Sequence, residues 1–432
     1  MSHSVISKIK DTTQKIFSNT DLRKKIIFTA LIVLVFRVLA SIPVSVADVG
    51  KIQSIFEGSD FLSLLNIFSG GTLIRFSIAA VGINPYITSS IIMQLAGMVI
   101  PSIKELQKEG ESGQMKVNQY TRMIAVPLAI VQSVSVIALL RSQELLYAAD
   151  ALSLVAAISS LVAGAMVAMW LGELISEYGL GNGISMIMFA GIISQLPSAL
   201  AQTTFLFRIG QVTTLLAFLI VFLAVIGFVV FMNEAVRKVT VEYAKRIRGG
   251  KVLGGQKTHL PVRVNVAGVM RIIFALSLML VPSFLGRILI SLSNEFWVSI
   301  GEKMVIWFDQ SSVFYMVSYF FLVFIFTYFS ALIFFNAEDI SEELKKSGAF
   351  IPGIRPGKAT KEFLEFVVTR ITFAGALFLG FVALLPSVAQ AVTQIQSLAI
   401  GGTSVLIVVS VILETAKQAE GQLVGQDYEK YS

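Results

Sequence analysis

Little in this 432-residue chain can make or break a covalent bond. There is no cysteine, which removes disulfides, thiolate metal ligands and cysteine nucleophiles. The two histidines, His3 and His259, fall in predicted loops and are too few for a histidine zinc site. No GxGD aspartate, serine–histidine pair or HExxH sequence lies in an apolar stretch, so intramembrane proteolysis has no catalyst. No Walker A sequence occurs, so no direct nucleotide binding is expected and energy must come from a partner. The expected catalytic, metal and cofactor sets are therefore empty. What remains is the chemistry of surfaces, with apolar side chains that can seal and basic side chains that can dock.

The elements that must position those side chains are membrane helices. Ten apolar stretches, at about residues 26–43, 76–100, 123–140, 153–172, 183–199, 212–232, 265–285, 311–335, 366–386 and 395–413, contain no aspartate or glutamate. A membrane helix needs about 20 apolar residues to cross a hydrocarbon core of about 30 Å. Only Arg37, Arg271 and Arg370 are charged within these stretches. Proton- and cation-coupled transporters keep ionisable groups at membrane depth, so a buried acidic relay is not expected.

Positive charge orients the chain. With the N-terminus inside, the segments 1–25, 101–122, 233–264, 336–365 and 414–432 hold 25 of the 34 lysines and arginines. Six lie outside: Lys51, Arg75, Arg141, Arg208, Arg287 and Lys303. The positive-inside rule then puts both termini in the cytosol. The net charge of +7 gathers on that face, where it can meet anionic lipid or a cytosolic partner.

The predicted architecture is an all-α polytopic membrane protein. Residues 1–25 read as a cytosolic amphipathic segment, 26–205 as an N-terminal half of five spans, 206–413 as a C-terminal half of five, and 414–432 as a cytosolic tail. Five is odd, so the second half enters the membrane in the opposite sense; such inverted halves place functional sites at their interface. Phe61–Thr72 is apolar but too short to cross, since a dozen helical residues reach under about 20 Å. A re-entrant half-helix or a flat interfacial helix both fit. Loop 233–264 reads as an extended hairpin or a helix stub.

Six strings, in order along the chain, resemble the SecY family, whose members are the central subunit of a protein-conducting channel. Gly82–Leu95 (GINPYITSSIIMQL) resembles its second span. Asn66–Gly71 (NIFSGG) resembles its plug and Gly179–Ser185 (GLGNGIS) the start of its fifth span. Thr258–Pro261 with Asn265, Ala267 and Gly268 resembles the approach to the seventh, Ser347–Gly357 (SGAFIPGIRPG) the fifth cytosolic loop, and Gly401–Ser404 (GGTS) the start of the tenth.

The resemblance implies an hourglass pore between the two halves, narrowed by an apolar ring. The matching positions are Ile83, Ile87, Ile184, Met188, Ile273 and Ile407. The spacing agrees, since 83/87 and 184/188 are i,i+4 pairs, and hydrophobic constrictions can gate pores by dewetting. Met188 stands where an aliphatic residue is usual, and its flexible thioether suits an adaptable seal. The plug is implied at 61–72, with Asn66, Phe68, Ser69, Gly70 and Gly71. Spans 2 and 7 are implied to form a lateral gate that passes signal sequences and membrane helices to lipid. Thr88, Gln94, Gln132 and Asn265 are expected to hydrogen-bond across the closed seam.

Arg246, Arg248, Lys251 and above all Arg355 are implied to dock a SecA-type motor ATPase or a ribosome. SecE-type and SecG-type small membrane subunits, nascent chains and the lipid bilayer complete the implied partners. The implied location is the cytoplasmic (cell) membrane. Two positions depart from the family pattern. Arg271 replaces a proline two residues before Ile273 and is expected to snorkel to the cytosolic vestibule or the lipid head groups. Gly250-Lys251 replaces a double arginine. A solute transporter with inverted repeats fits less well, for want of acids and of matched broken helices.

Overall fold

The computed structural model describes residues 19–44, 46, 50–52, 66, 71–142, 145, 150–194, 212–243, 246–248, 251–253, 257–263, 270–290, 294–309, 312–393 and 396–429. Helix α1 (Thr20–Ser41) is capped by Asn19, whose side chain accepts from the Asp21 and Leu22 amides. It shows how these spans are built. Thr29, Ile32, Phe36 and Ala40 form a buried stripe, while Ile27, Leu31, Leu34 and Val38 are exposed. A helix apolar all round belongs in a membrane; one side packs on protein and the other is left for lipid.

Helices α2 (Asn84–Val99), α3 (Pro101–Lys108), α4 (Glu111–Ser142), α5 (Ala151–Tyr178) and α6 (Gly183–Ile193) follow, then α7 (Val212–Glu234). After four short strands come α8 (Met270–Ile290), α9 (Glu295–Trp307), α10 (Val313–Phe334) and α11 (Ala337–Lys346), then α12 (Lys358–Thr393) and α13 (Gln396–Glu429). By length and apolarity, four stretches within the described residues qualify as spans: 111–138, 151–178, 313–331 and 358–385. Residues 84–97 and 101–107 would make a fifth, bent by 106°. The protein is thus a multi-pass membrane protein.

Three expectations need correction. The second apolar stretch was expected to be helical from residue 76, but α2 starts at Asn84. Residues 73–83 run instead as tight turns, with Phe76 at φ 42° and Gly82 at φ 61°. Gly82 supplies a left-handed conformation that glycine adopts without steric cost, and Pro85 in the first turn suits a helix start. Secondly, several helices outrun their apolar stretches: α4 begins at 111, α12 at 358, and α13 continues to 429.

Thirdly, the all-α description omits a small sheet. β1 (Val236–Tyr243) pairs antiparallel with β4 (Lys257–Arg263), Val239 opposite Leu260, and with β5 (Ala349–Phe350), giving the order β4-β1-β5. β2 (Arg246–Arg248) pairs with β3 (Lys251–Leu253). Loop 233–264 is therefore a hairpin, one of the two forms expected. Val239, Val241 and Val262 share a buried core with Ala349, Ile351 and Leu364, so the two long basic loops belong to one packed unit.

Candidate pore constriction

The six ring positions reach the interior from four helices. Ile83 is the N-cap of α2 and Ile87 sits in its first turn, its amide donating to the Ile83 carbonyl at 3.1 Å. Asn182 caps α6 by accepting from the Ser185 amide at 3.1 Å, which fixes the turn that carries Ile184. Gly183 lets α6 lie against α5, because a Cβ there would collide with the Gly172 carbonyl oxygen. Ile273 lies in the first turn of α8 and Ile407 about a third of the way along α13.

Ile83, Ile87, Met188, Ile273 and Ile407 are all 2% exposed or less and belong to one continuous apolar cluster. Ile184 is partly buried and packs against that cluster. None of the six lies on the outward-facing surface that displays Leu31, Leu34 or Val38. Beneath Ile83 the turns are pinned by hydrogen bonds. Thr72 Oγ1 donates to the Ala79 carbonyl at 2.7 Å, the Val44 amide to Phe76 at 2.9 Å, and the Ile78 amide to Ile42 at 3.0 Å.

Of the plug positions, Asn66 is buried; its Oδ1 accepts from the Ile74 amide at 3.0 Å and its carbonyl from the Gly71 amide at 2.7 Å. Phe68, Ser69 and Gly70 lie outside the described residues, as does Asn265 of the gate. α2 and α8, the helices implied to form the gate, pack against one another. Thr88 does not donate across that seam. Its Oγ1 donates at 3.0 Å to the Asn84 carbonyl one turn back, the usual local outlet for a threonine in a helix. Gln94 and Gln132 are half-buried. Arg271 was expected to snorkel to the cytosolic vestibule or the head groups but is 1% exposed, beside the buried Ile272 and Ile273 at the start of α8.

Arg355 is exposed on the loop between β5 and α12. Gly353 (φ 81°) and Gly357 (φ 97°) shape that loop, and Thr360 Oγ1 donates to the Arg355 carbonyl at 2.9 Å. Arg248 and Lys251 are opposite partners in the β2–β3 pair, with Arg246 two residues before Arg248. Reading the sequence missed one tie to the ring helices. Arg37 Nη2 donates to the carbonyls of Ala190 at 2.6 Å and Gly191 at 3.1 Å. A cation at a helix C-terminus meets the negative end of its dipole, so α1 is fastened to the far end of α6. The lone arginine in an otherwise neutral span was the available signal.

Long apolar helices packed around a large apolar cluster, with a small basic sheet beside them, define a polytopic membrane protein. The SecY family model matches residues 77–416. The chain belongs to the SecY family. It is 41% identical over 430 residues to the protein translocase subunit SecY of Mycobacterium bovis, covering 95% of this chain and 97% of that one. Identity to the Corynebacterium glutamicum subunit is 41% over 432 residues, covering 96% and 98%. A solved structure described as a protein conducting channel superposes with a TM-score of 0.63 at 18% identity, covering 92% of this chain and 91% of that one. Sec61 in a canine ribosome–channel complex gives 0.58 at 17% identity, with the same coverage.

Proposed function

We propose that this chain is the pore-forming subunit of a protein translocase in the cytoplasmic membrane, a channel and not an enzyme, with both termini in the cytosol. Unfolded secretory polypeptides pass between two inverted halves, 26–205 and 206–413. The observation that carries the reading is the convergence of Ile83, Ile87, Met188, Ile273 and Ile407 in one buried cluster, in a chain of the SecY family. An apolar constriction stays dry when idle, and without fixed charge or hydrogen-bond pattern it can close around unlike side chains. Residues 61–72 act as the plug on its outer side.

Membrane-protein helices leave through the α2–α8 seam. Contacts between membrane helices are worth about 0.6–2 kcal/mol per hydrogen bond, within reach of an inserting apolar segment. The pore itself is passive. A SecA-type motor or a ribosome supplies the drive and docks on the cytosolic unit. There the exposed Arg355 offers the bidentate fork that suits carboxylate or phosphate. SecE-type and SecG-type subunits bind the lipid-facing helices.

The test is reconstitution of the chain with such subunits in vesicles, adding motor, ATP and a secretory precursor. ATP-dependent protection of the precursor from external protease is expected. Protection that persists without the chain would contradict the reading.

A further inference from the structure

The last two residues of α7, which leads directly into the hairpin strand β1, are joined to α13 by a compact polar contact. Lys417 Nζ lies 2.8 Å from Glu234 Oε1 and donates to the Asn233 carbonyl at 2.9 Å. Asn233 Nδ2 donates to Ser410 Oγ at 3.2 Å. Arg263, at the other foot of the hairpin, acts electrostatically on Glu414. The helix that enters the hairpin is therefore tied directly to α13, and the strand that leaves it ends at Arg263, within electrostatic reach of Glu414.

The α13 side of this contact is one helical stripe. Ser410, Glu414 and Lys417 follow Ile407 at +3, +7 and +10, so they share its face. Ten residues of helix carry that face about 15 Å from the ring to the cytosolic side. A second stripe of α13 rests on the N-terminal half. Ala419 is buried with Leu22 and Leu180, Lys25 Nζ donates to Gln422 Oε1 at 3.4 Å, and a Cβ at Gly181 would lie 3.1 Å from Thr415 Oγ1. The helix is held from one side by the hairpin and braced from another.

We infer that Asn233, Glu234 and Arg263 with Ser410, Glu414 and Lys417 form a linkage through which load on the cytosolic hairpin turns or tilts α13 and displaces Ile407 from the ring. Arg355 feeds the same linkage, because its loop follows β5, which pairs with β1 and shares the core of Val239, Val241 and Val262. The inference rests on the reading that the hairpin docks the driver and Ile407 lines the seal. These six are positioning residues: none needs to touch the moving polypeptide.

The experiment uses the complete channel in vesicles with a purified motor ATPase and a secretory precursor. Lys417→Met and Glu234→Gln should leave motor affinity within about twofold of the parent, since neither lies at the hairpin tip. Precursor transport per bound motor should fall roughly tenfold, which is about 1.4 kcal/mol. Lys417→Arg, which keeps the cation, should restore transport. Parent-like transport by Lys417→Met would overturn the linkage alone, as would failure of Lys417→Arg to restore it or loss of transport in proportion to lost motor binding. Parent channels that neither bind the motor nor move precursor would overturn the functional reading beneath it.

Discussion

Ile273 is fully buried at the start of the helix that borders the seam. Truncating such a side chain removes packing and leaves a void, at about 2–4 kcal/mol for isoleucine to alanine. Ile273→Ala should lower the thermal midpoint of the purified protein. It should also raise idle ion conductance in planar bilayers, because a wider apolar ring wets more readily. A lower midpoint with unchanged conductance would assign Ile273 to packing alone. Glu414, on the cytosolic stretch of α13, carries a different prediction. Burial raises its carboxyl pKa, and Arg263 pulls it the other way without prevailing. In the unfolded chain a glutamate titrates near about 4.3. Between that value and the raised one, the folded state holds a proton that the unfolded state has lost. Stability therefore falls as pH rises through this window, and acidification into it restores stability. Glu414→Gln should remove that slope and match or exceed the parent midpoint at pH 8, as read by thermal unfolding across pH.

Among elements, α6 depends most on its junction with α5. The Gly183 close approach admits no side chain, so Gly183→Ala should push α6 from α5 and abolish a stable fold. Asn182→Ala removes only a cap, at about 1 kcal/mol, and should remain foldable; expression and melting of the two variants would separate them. The elements were legible to different degrees. Long acid-free apolar runs gave away α5, α10 and the membrane part of α12, since period and length leave little else for them to be. The start of α2 was hidden, because Phe76–Ile83 is as apolar as the helix after it and only Gly82 and Pro85 mark the break. α9 went unnoticed; its Asn294 cap, whose Oδ1 accepts from the Phe296 amide at 3.0 Å, was its one local sign. The shared burial of Ile83, Ile87, Ile273 and Ile407 in one cluster was legible only through resemblance, because a buried isoleucine and one facing lipid look alike in sequence. Arg271 misled for the reverse reason, since charge in a span suggests an outward reach that its packed surroundings do not permit.

For the whole molecule, topology and closure are the claims at stake. The natural chain has no cysteine, so single cysteines report sidedness without background. Cysteines at Lys358 and His259 should react with an impermeant maleimide only from the cytosolic side. One at Lys303 should react only from the outer side. Labelling of all three from one side would contradict the alternating spans. The central claim is that a polypeptide passes through the ring. Photo-crosslinking amino acids placed singly at Ile87, Met188, Ile273 and Ile407 test it most directly, using a precursor arrested halfway through the reconstituted channel. The account predicts crosslinks from all four positions to the precursor and few to lipid. Crosslinks to lipid or to neighbouring helices alone, with the precursor demonstrably arrested, would contradict it.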